Sequence, residues 1–477
     1  MNAGTALKPS EWTKHHPESL ALYDVTLGEW WTYGQLDSAV ADLAARLRFS
    51  PKCLAVCYCR NDLPSVLGYL ACIEAGHAVL LMDANSNASQ RQTICDRYRP
   101  EILVLPRDDA GEKPDSHEIL PTRAPEPCIV QVPGPGEHSI HEDLCLLLST
   151  SGSTGSPKLV RLSATNVASN AASIVSGLGI GLSDRPITSL ALHYSYGLSV
   201  LNSHLAAGAA VVLTGDGLVT ESFWRTFREL ECTSLAGVPY SYSILARLGL
   251  SSLDVPSLTT LTQAGGKLGN DLILKFHRMI DSVGGRFFVM YGQTEATARI
   301  SILPSEMLPE KVGSAGLAVE GGHLSADASS ASDERIGGEV VYTGPNVMMG
   351  YALERGDLRL ADTMGGVLRT GDMGYVDDNG FLYVTGRSKR IGKVFGLRIN
   401  LDEVEALTNR HGRSAVVGQD DRLVIFCEYG DQDSFHQQAM ELARLLRVNH
   451  RAFEFRRVPE LPTTHNGKID YNELLSR

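Results

Sequence analysis

The chain contains 477 residues with a mass of 51.6 kDa, which is enough for about three folding units of ordinary size. Hydrophobic residues make up 43% and charged residues 21%, a composition that excludes collagenous and wholly disordered chains. The formal net charge of −12 has the wrong sign for a protein whose main task is to grip a nucleic-acid backbone. Backbone amides and a few lysines can still bind small phosphate ligands.

Short apolar runs alternate with helix-like segments through the first part of the chain. Residues 53–59 form a β-like run, residues 63–76 carry an amphipathic helical pattern, and residues 77–82 form a second β-like run. The same alternation recurs across residues 209–250. Alternation of this kind predicts βαβ units with parallel sheets.

The cysteines and the apolar segments indicate the compartment. Cys53, Cys57 and Cys59 are separated by apolar residues, which is typical of small hydrophobic residues in a buried strand rather than of a metal cluster. The first residues lack the charged segment and apolar core of a secretory signal. The longest helix-like apolar stretch, residues 205–213, is about half a membrane span. We expect a cytoplasmic protein without a membrane span.

A serine-, threonine- and glycine-rich loop follows the apolar strand at residues 144–148. Two glycines allow tight turns, and the loop's amides and hydroxyls can converge on phosphate oxygens. Lys158 adds a compact positive charge. The loop does not match the Walker pattern. The predicted phosphate-binding residues are Thr150, Ser151, Gly152, Ser153, Thr154, Gly155 and Lys158.

A second motif follows the apolar run at residues 287–290. If that run is a strand, its carboxyl end delivers Tyr291, Gly292, Gln293, Thr294 and Glu295 to the edge where α/β folds bind ligands. The tyrosine offers a flat face for a base, and the threonine offers a hydroxyl for phosphate. The glutamate offers a hard oxygen for Mg²⁺.

The last part of the chain differs from the body. Short strands and glycine turns predict an antiparallel β region from Gly337 onward. Residues 388–477 contain 14 Lys and Arg against 13 Asp and Glu, a charge of +1, so the remaining residues carry −13. This near-neutral unit either contacts an acidic partner or presents a solvated mixed-charge surface. Asp372, in a glycine-bounded turn, can accept hydrogen bonds from two ribose hydroxyls, and Arg387 can reach the same sugar.

Together these motifs resemble those of the adenylate-forming enzymes, the family of acyl- and aryl-CoA synthetases, adenylation domains and firefly luciferase. The resemblance extends over nearly the whole chain. It implies an α/β fold with two βαβ-type subdomains and a small β-barrel-like subdomain in a large N-terminal domain, residues 1–388. A small mobile α+β C-terminal domain, residues 389–477, then carries the catalytic lysine.

The resemblance assigns roles to particular residues. The loop with Gly265, Gly266 and Lys267 lies along the adenine, and Lys389 is the hinge of the small domain. Phe395 and Gly396 line the pantetheine tunnel. Lys468, which follows an Asn-Gly turn, is the catalytic lysine that neutralises charge during adenylation. The implied nucleotide and catalytic residues also include Tyr291, Gly292, Gln293, Thr294, Asp372 and Arg387, with Glu295 as catalytic residue and metal ligand.

The sequence also departs from the family at three positions. Leu159 follows the loop lysine where the family usually has glycine. Gly392 stands where a larger residue is usual, and Asn400 where an acid is frequent. The departure at Leu159 leaves the phosphate-binding atoms in place, and the other two lie on the face to which the resemblance assigns the pantetheine tunnel.

Residues 189–209 resemble the segment that forms one wall of the acyl pocket. They contain no carboxylate to pair with an α-ammonium group, which disfavours α-amino acids. His193 and Tyr196 suit a flat aryl or short acyl acid, or they are core aromatics. The predicted pocket residues are His193, Tyr194, Tyr196, Gly197 and, from a second wall, Gly237.

The implied reaction has two steps and uses ATP and Mg²⁺. A carboxylate attacks the α-phosphorus of Mg·ATP to give an acyl-adenylate, and a thiol then displaces AMP. The charge difference between the two domains favours the phosphopantetheine thiol of an acyl carrier protein as acceptor. Free CoA is the alternative, and a non-catalytic nucleotide-binding protein is a remote one.

Overall fold

The structure is a computed structural model that describes residues 17–109, 118–132, 139–149, 158–249, 253–327, 337–387, 390–394, 397–419, 422–446, 448–464 and 468–476. It divides into two compact units. The first unit contains residues up to His323 together with Thr343–Leu368, and the second contains Leu324–Tyr342 and Arg369–Arg477.

The strands lie throughout both units. Their bounds are β1 (Leu20–Asp24), β2 (Glu29–Thr32), β3 (Leu54–Cys59), β4 (Ala78–Asp83), β5 (Ile102–Leu105), β6 (Glu118–Leu120), β7 (Cys128–Gln131), β8 (Leu144–Ser149), β9 (Leu159–Ser163), β10 (Val211–Leu213), β11 (Ser234–Gly237), β12 (Thr260–Gln263), β13 (Arg286–Tyr291), β14 (Ser301–Leu303), β15 (Leu317–Ala318), β16 (His323–Asp327), β17 (Gly338–Thr343), β18 (Gly350–Ala352), β19 (Val367–Val376), β20 (Leu382–Arg387), β21 (Ile391–Val394), β22 (Leu397–Asn400), β23 (Ser414–Gln419), β24 (Arg422–Cys427) and β25 (Phe453–Arg457).

The helices are also numbered in chain order. Their bounds are α1 (Tyr33–Arg46), α2 (Leu63–Glu74), α3 (Ala88–Tyr98), α4 (Ala164–Leu178), α5 (Ser195–Ala206), α6 (Glu221–Glu229), α7 (Pro239–Leu248), α8 (Asn270–Asp281), α9 (Leu401–Thr408), α10 (Gln432–Leu446) and α11 (Tyr471–Leu475).

An eight-stranded sheet in the order β18-β9-β8-β4-β3-β5-β7-β6 forms the first layer of the first unit. Its centre is parallel, as the alternation of strands and helices predicts, because β3 pairs with β4 and β5, and β4 pairs with β8. Every residue of β3 is buried, including Cys57 and Cys59. The predicted interpretation of this segment as a buried strand is confirmed, and none of the nine cysteines, all of which are described, forms a disulfide.

A second, five-stranded sheet in the order β11-β12-β13-β14-β15 carries the other half of the first unit. Strands β11, β12 and β13 are parallel, whereas β14 and β15 return antiparallel. Proline at the first position of α7 fits the helix start after β11, because that position needs no amide hydrogen bond. A three-stranded sheet, β10-β1-β2, completes this unit.

The second unit contains the four-stranded sheet β16-β17-β19-β20, the hairpin β21-β22 and the three-stranded sheet β23-β24-β25. Apolar residues pack on both faces of β23 and β24: one cluster includes Val404 and Leu442, and the other includes Leu461 and Leu474. Arg387 at the end of β20 donates its backbone N–H to the Asp402 carboxylate at 2.9 Å. The compact unit therefore extends on both sides of the predicted boundary at residues 388 and 389, which stays a prediction.

The helices are short for a lipid bilayer. Across the part of the chain that the structure describes, no helix has the length and apolarity needed to cross a membrane.

Candidate nucleotide and acyl site

Three neighbouring parallel strands end at one edge of the five-stranded sheet. Gly237 of β11 lies opposite Gln263 of β12, and Gln263 lies opposite Val289 of β13. The chain therefore leaves all three strands on the same side, and the predicted acyl wall, adenine loop and Tyr-Gly-Gln-Thr-Glu motif are brought together. This is the edge at which open α/β sheets bind their ligands.

Glu295 and Lys158 are linked through Tyr351, which the sequence analysis did not single out. The Tyr351 hydroxyl donates to Glu295 Oε1 at 2.8 Å, and Lys158 Nζ lies 3.5 Å from the centroid of the Tyr351 ring. Burial, with the negative charge of Glu295 second, raises the pKa of Tyr351 well above its usual value. Tyr351 therefore stays protonated and orients the carboxylate while its ring face holds the ammonium group.

Thr294 lies beside the first residue of α5, the helix within the segment that the sequence assigns to the acyl pocket. Its Oγ1 lies 3.3 Å from Ser195 Oγ, the first residue of α5. Three residues after Thr294, Thr297 has φ +64°, and its hydroxyl donates to the backbone oxygen of Asn346 at 2.7 Å. Asn346 Nδ2 in turn donates to the Ala296 carbonyl at 2.9 Å. These bonds fix the loop that follows Glu295.

Two predicted glycines are required by close packing. A Cβ atom at Gly292 would lie 1.8 Å from the Ala298 carbonyl oxygen, so no side chain fits there. Gly265 has φ +83°, and a Cβ atom on it would lie 2.6 Å from the Tyr194 hydroxyl. The predicted adenine loop thus packs directly against the predicted acyl segment. Lys267 of the same loop is exposed.

The remaining pocket predictions fall into two groups. The rings of Tyr194 and Tyr196 meet edge to face with centroids 6.3 Å apart, and the Tyr196 hydroxyl lies 2.8 Å from Thr262 Oγ1 on β12. Gly197 and Gly237 instead serve close packing. A Cβ atom at Gly197 would lie 2.2 Å from a backbone oxygen, and one at Gly237 would lie 2.9 Å from the ring of Tyr242.

A cavity of about 30 Å³ lies between helices α4 and α5 and strands β11 to β13. Tyr196 lines this cavity and Ala236 faces it from β11, whereas His193, Tyr194, Gly197 and Gly237 are not among its lining residues. The lining includes the polar and charged side chains of Asp184, Ser199, Ser203, His204, Thr262, Arg286 and Arg299.

The donors around Glu295 fit a metal that arrives with a phosphate ligand. No group of three or more His, Cys, Asp and Glu side chains that could hold a metal is present in the described parts of the chain. Magnesium in nucleotide sites typically keeps several waters and takes one or two protein carboxylates together with phosphate oxygens. A single carboxylate, held in place by Tyr351, matches that pattern.

In the second unit the two predicted ribose ligands face each other. Asp372 of β19 and Arg387 of β20 are partners across the strand pair, and Arg387 Nε lies 3.2 Å from Asp372 Oδ1. The arginine side chain is 67% exposed and that of the aspartate only 9%. The exposed guanidinium can therefore swing toward a ligand while the carboxylate stays fixed.

Lys468 lies next to an isolated antiparallel bridge near the end of the second unit. Thr463 and Ile469 form an isolated antiparallel bridge, and the Thr464 N–H donates to the Lys468 carbonyl at 2.7 Å. The segment that follows begins helix α11 at Tyr471. The backbone of Lys468 is thus held by its hydrogen bond with Thr464, and its side chain is partly exposed.

Several predicted residues lie outside the described residues. They are Thr150, Ser151, Gly152, Ser153, Thr154 and Gly155 of the phosphate loop, Lys389 of the hinge, and Phe395 and Gly396 of the pantetheine tunnel.

Sequence reasoning missed Tyr351, Ser195 and Arg299. Tyr351 follows a glycine in the segment 337–351, and nothing in that pattern distinguishes it from an ordinary strand residue. Arg299 carries a detectable signal, because it stands between Ala298 and Ile300 immediately before a strand. A charge within an apolar segment indicates either a buried ion pair or a ligand contact.

Comparison with known proteins gives consistent relatives. The profile of the family described as AMP-binding enzyme matches residues 10–352. The 2-succinylbenzoate–CoA ligase of Bacillus pumilus (strain SAFR-032) is 30% identical over 438 residues, which cover 87% of this chain and 86% of that protein.

Solved structures agree with the fold. The o-succinylbenzoate CoA synthetase of Bacillus subtilis in complex with its acyl-adenylate intermediate has a TM-score of 0.76 to this chain at 22% identity, and the match covers 98% of both chains. The same synthetase in complex with ATP and magnesium ion also has a TM-score of 0.76 at 22% identity, and covers 99% of both chains. The α/β fold class predicted from the sequence is confirmed.

Proposed function

The chain belongs to the AMP-binding enzyme family, and from that premise we propose that it is an AMP-forming acid–CoA ligase. The observation that carries this proposal is the cluster of Lys158, Tyr351 and Glu295 beside Thr294 at the carboxyl edge of the parallel strands. It places a cation, a carboxylate and a hydroxyl around one point, which is what a nucleotide triphosphate with its metal requires.

In the first step an oxygen of the substrate carboxylate attacks the α-phosphorus of ATP. The bond from that phosphorus to the bridging oxygen of the β-phosphate breaks, and pyrophosphate leaves. The protein does little covalent work here, so positioning and charge stabilisation supply most of the rate. Lys158 offsets phosphate charge, Thr294 donates a hydrogen bond to the α-phosphate, and Glu295 is the protein ligand for magnesium.

The other predicted residues bind the rest of the nucleotide. Tyr291 offers a ring face for the adenine, and Asp372 accepts hydrogen bonds from the ribose hydroxyls with Arg387 beside it. Lys468 neutralises the charge that develops on the attacking carboxylate and the α-phosphate. These assignments rest on the family resemblance and on the separate placement of the residues within each unit.

In the second step a thiol attacks the acyl carbon, loses its proton, and expels AMP. We propose CoA as the acceptor, because the 30% identical relative is named as a CoA ligase. The charge of +1 on residues 388–477 favours an acidic carrier protein only weakly, since a mixed-charge solvated surface has the same composition. Phe395 and Gly396 are the proposed contacts of the pantetheine arm.

Exchange of labelled pyrophosphate into ATP across a panel of aryl and short acyl acids tests the first step. We expect exchange with at least one acid and none without acid. If none of the acids supports exchange, the proposed function is contradicted, and a nucleotide-binding protein without catalysis is favoured.

The accepted acid is then supplied with CoA or with a holo-acyl carrier protein in separate reactions, and the products are identified by mass. We expect a thioester of CoA. A thioester only on the carrier protein would contradict the proposed acceptor and leave the adenylation step intact.

A further inference from the structure

We propose that Arg299 binds a second anionic group on the acid substrate, so that the enzyme activates short acids carrying a negative charge at each end. This inference rests on the proposed function, because it names the class of acid that the same site would activate. It goes beyond that function in making Arg299 the specificity-determining residue.

Arg299 is a buried cation that lacks an anionic partner. Only 2% of Arg299 is exposed to solvent, and its Nε atom is buried without a hydrogen-bond partner. Within the described residues no carboxylate lies within 4.0 Å of its guanidinium nitrogens. Its polar side-chain contact is a long one, from Nη2 to Ser199 Oγ at 3.5 Å. A buried charge left in this state costs several kcal/mol, so it is retained where a ligand completes it.

The other two deeply buried arginines of the first unit show what a structural arginine looks like here. The Arg161 guanidinium donates to four backbone carbonyls, including those of Tyr351 at 3.2 Å and Met349 at 2.9 Å. Arg355 pairs with the Glu101 carboxylate at 2.5 Å. Arg299 has neither arrangement, and its second contact is the ring of Tyr196, 4.6 Å from its Cζ atom.

Arg299 is also a lining residue of the cavity beside Tyr196. It lines the cavity between α5 and the parallel strands together with Tyr196, Ser199 and Thr262. The Tyr196 and Thr262 hydroxyls bond each other at 2.8 Å, so one of the two keeps a hydrogen that it can donate to an anion. Asp184 and Arg286 line the same cavity, but Arg286 is exposed and donates to the Leu178 carbonyl at 2.9 Å. Arg299 is therefore the buried cation of this lining.

The spacing of two serines on helix α5 indicates the length of the proposed acid substrate. Ser195 lies 3.3 Å from Thr294, where the reacting carboxylate meets the α-phosphate, and Ser199 contacts Arg299. Ser195 and Ser199 are one turn apart on α5, a separation of about 6 Å. A separation of this size matches the distance between the two carboxylates of a short dicarboxylic acid.

Matched pairs of acids test the inference by pyrophosphate exchange: succinate against butyrate, glutarate against pentanoate, and isophthalate against benzoate. We expect the wild-type kcat/KM to be at least about 100-fold higher for a diacid than for its matched monoacid. Arg299→Met should lower the diacid value by about 100-fold or more and raise or preserve the monoacid value. Arg299→Lys should recover part of the diacid activity.

A purely structural role for Arg299 makes a different prediction. If the guanidinium only orients the Tyr196 ring, Arg299→Met would lower exchange with diacids and monoacids equally, and this outcome would overturn the inference. Exchange with a monoacid also reports that the variant is folded. Arg278→Met, which removes an exposed arginine on α8, is the matched control and should keep the wild-type preference.

The two proposals fail in different ways. If no acid of the panel supports pyrophosphate exchange by the wild type, the proposed function is wrong, and this inference is wrong with it. If the wild type exchanges well with monoacids and shows no preference for diacids, the inference alone is overturned and the ligase remains.

Discussion

Tyr351 joins two residues that belong to distant motifs of the chain. Lys158 follows the phosphate loop and Glu295 ends the Tyr-Gly-Gln-Thr-Glu motif, yet both contact this one tyrosine. Each of the two charged residues was predictable from its motif, because the chemistry of phosphate and metal binding dictates the residue type. The tyrosine was not, because its role depends on a contact across 56 residues.

At the same scale, Lys468 carries a direct test of the first step. Lys468→Ala should lower pyrophosphate exchange by about 10²–10³-fold, because it removes an electrostatic group that acts on the developing charge. Lys275→Ala, which removes an exposed lysine on α8, is the control and should exchange at the wild-type rate. Exchange by the Lys468 variant at the control rate would mean that another group provides this charge.

Because His204 is buried, we expect the free energy of unfolding to depend on pH. Burial lowers its pKa from 6.5 to about 4, so the unfolded chain takes up a proton at a higher pH than the native protein does. The native state therefore keeps its full stability above pH 6.5 and loses it as the pH falls toward 4, by about 2 kcal/mol at pH 5.

Thermal unfolding at pH 7.5 and pH 5.0 measures this effect. His204→Gln keeps a donor for the Val200 carbonyl and should lose less stability on acidification than the wild type. His323→Gln, at an exposed histidine, should behave like the wild type. Equal losses in the wild type and the His204 variant would show that His204 does not titrate in this range.

At the scale of elements, strand ends explain why the motifs meet. Parallel strands β11, β12 and β13 run in register, so three loops that are far apart in sequence leave at one edge. The sequence predicts this, because a buried strand followed by glycine and polar residues marks such an edge. It does not predict the cavity between this sheet and helices α4 and α5, which depends on how the two helices pack against the sheet.

Helix α11, which follows Lys468, is held by one largely buried network. The Tyr471 hydroxyl donates to Glu405 Oε1 at 2.7 Å, and the Arg390 guanidinium lies 3.7 Å from the Tyr471 ring centroid while pairing with Glu405 at 2.9 Å. This network ties α11 to α9 within the second unit.

Tyr471→Phe should destabilise the second unit by about 1–3 kcal/mol, because the Glu405 carboxylate loses a hydrogen-bond donor. Amide hydrogen exchange of β23 and β24 measures the change as reduced protection. Tyr375→Phe, at a tyrosine that is 43% exposed, is the control and should leave the protection unaltered. Unchanged protection in the Tyr471 variant would mean that Arg390 alone holds Glu405.

At the scale of the whole molecule, the predicted catalytic and nucleotide-binding residues are divided between two compact units. Thr294 and Glu295 belong to the first unit, whereas Asp372, Arg387 and Lys468 belong to the second. A reaction in two steps can use this division if the residues after the hinge take up a different orientation in each step. The family resemblance places that hinge at Lys389.

Lys389→Pro tests the hinge. Proline restricts φ to about −65°, so a rotation at this residue should be blocked. We expect pyrophosphate exchange within about threefold of wild type and thioester formation from the adenylate slowed at least about tenfold. Rapid-quench single-turnover assays separate the steps. Lys389→Ala is the control and should slow neither step to this extent, and equal slowing of both steps by Lys389→Pro would contradict a hinge role.

The sequence by itself determined the α/β fold class and the family, and it predicts the residue types of the proposed nucleotide site. It did so because phosphate binding, metal binding and strand burial each demand particular residues at short spacing, which a linear pattern preserves. Only the tertiary structure decided that Tyr351 joins Lys158 to Glu295, and that Arg299 is buried beside Tyr196 with its Nε atom lacking a hydrogen-bond partner. Those facts depend on packing between elements far apart in the chain, and local patterns carry no record of which distant side chains will meet.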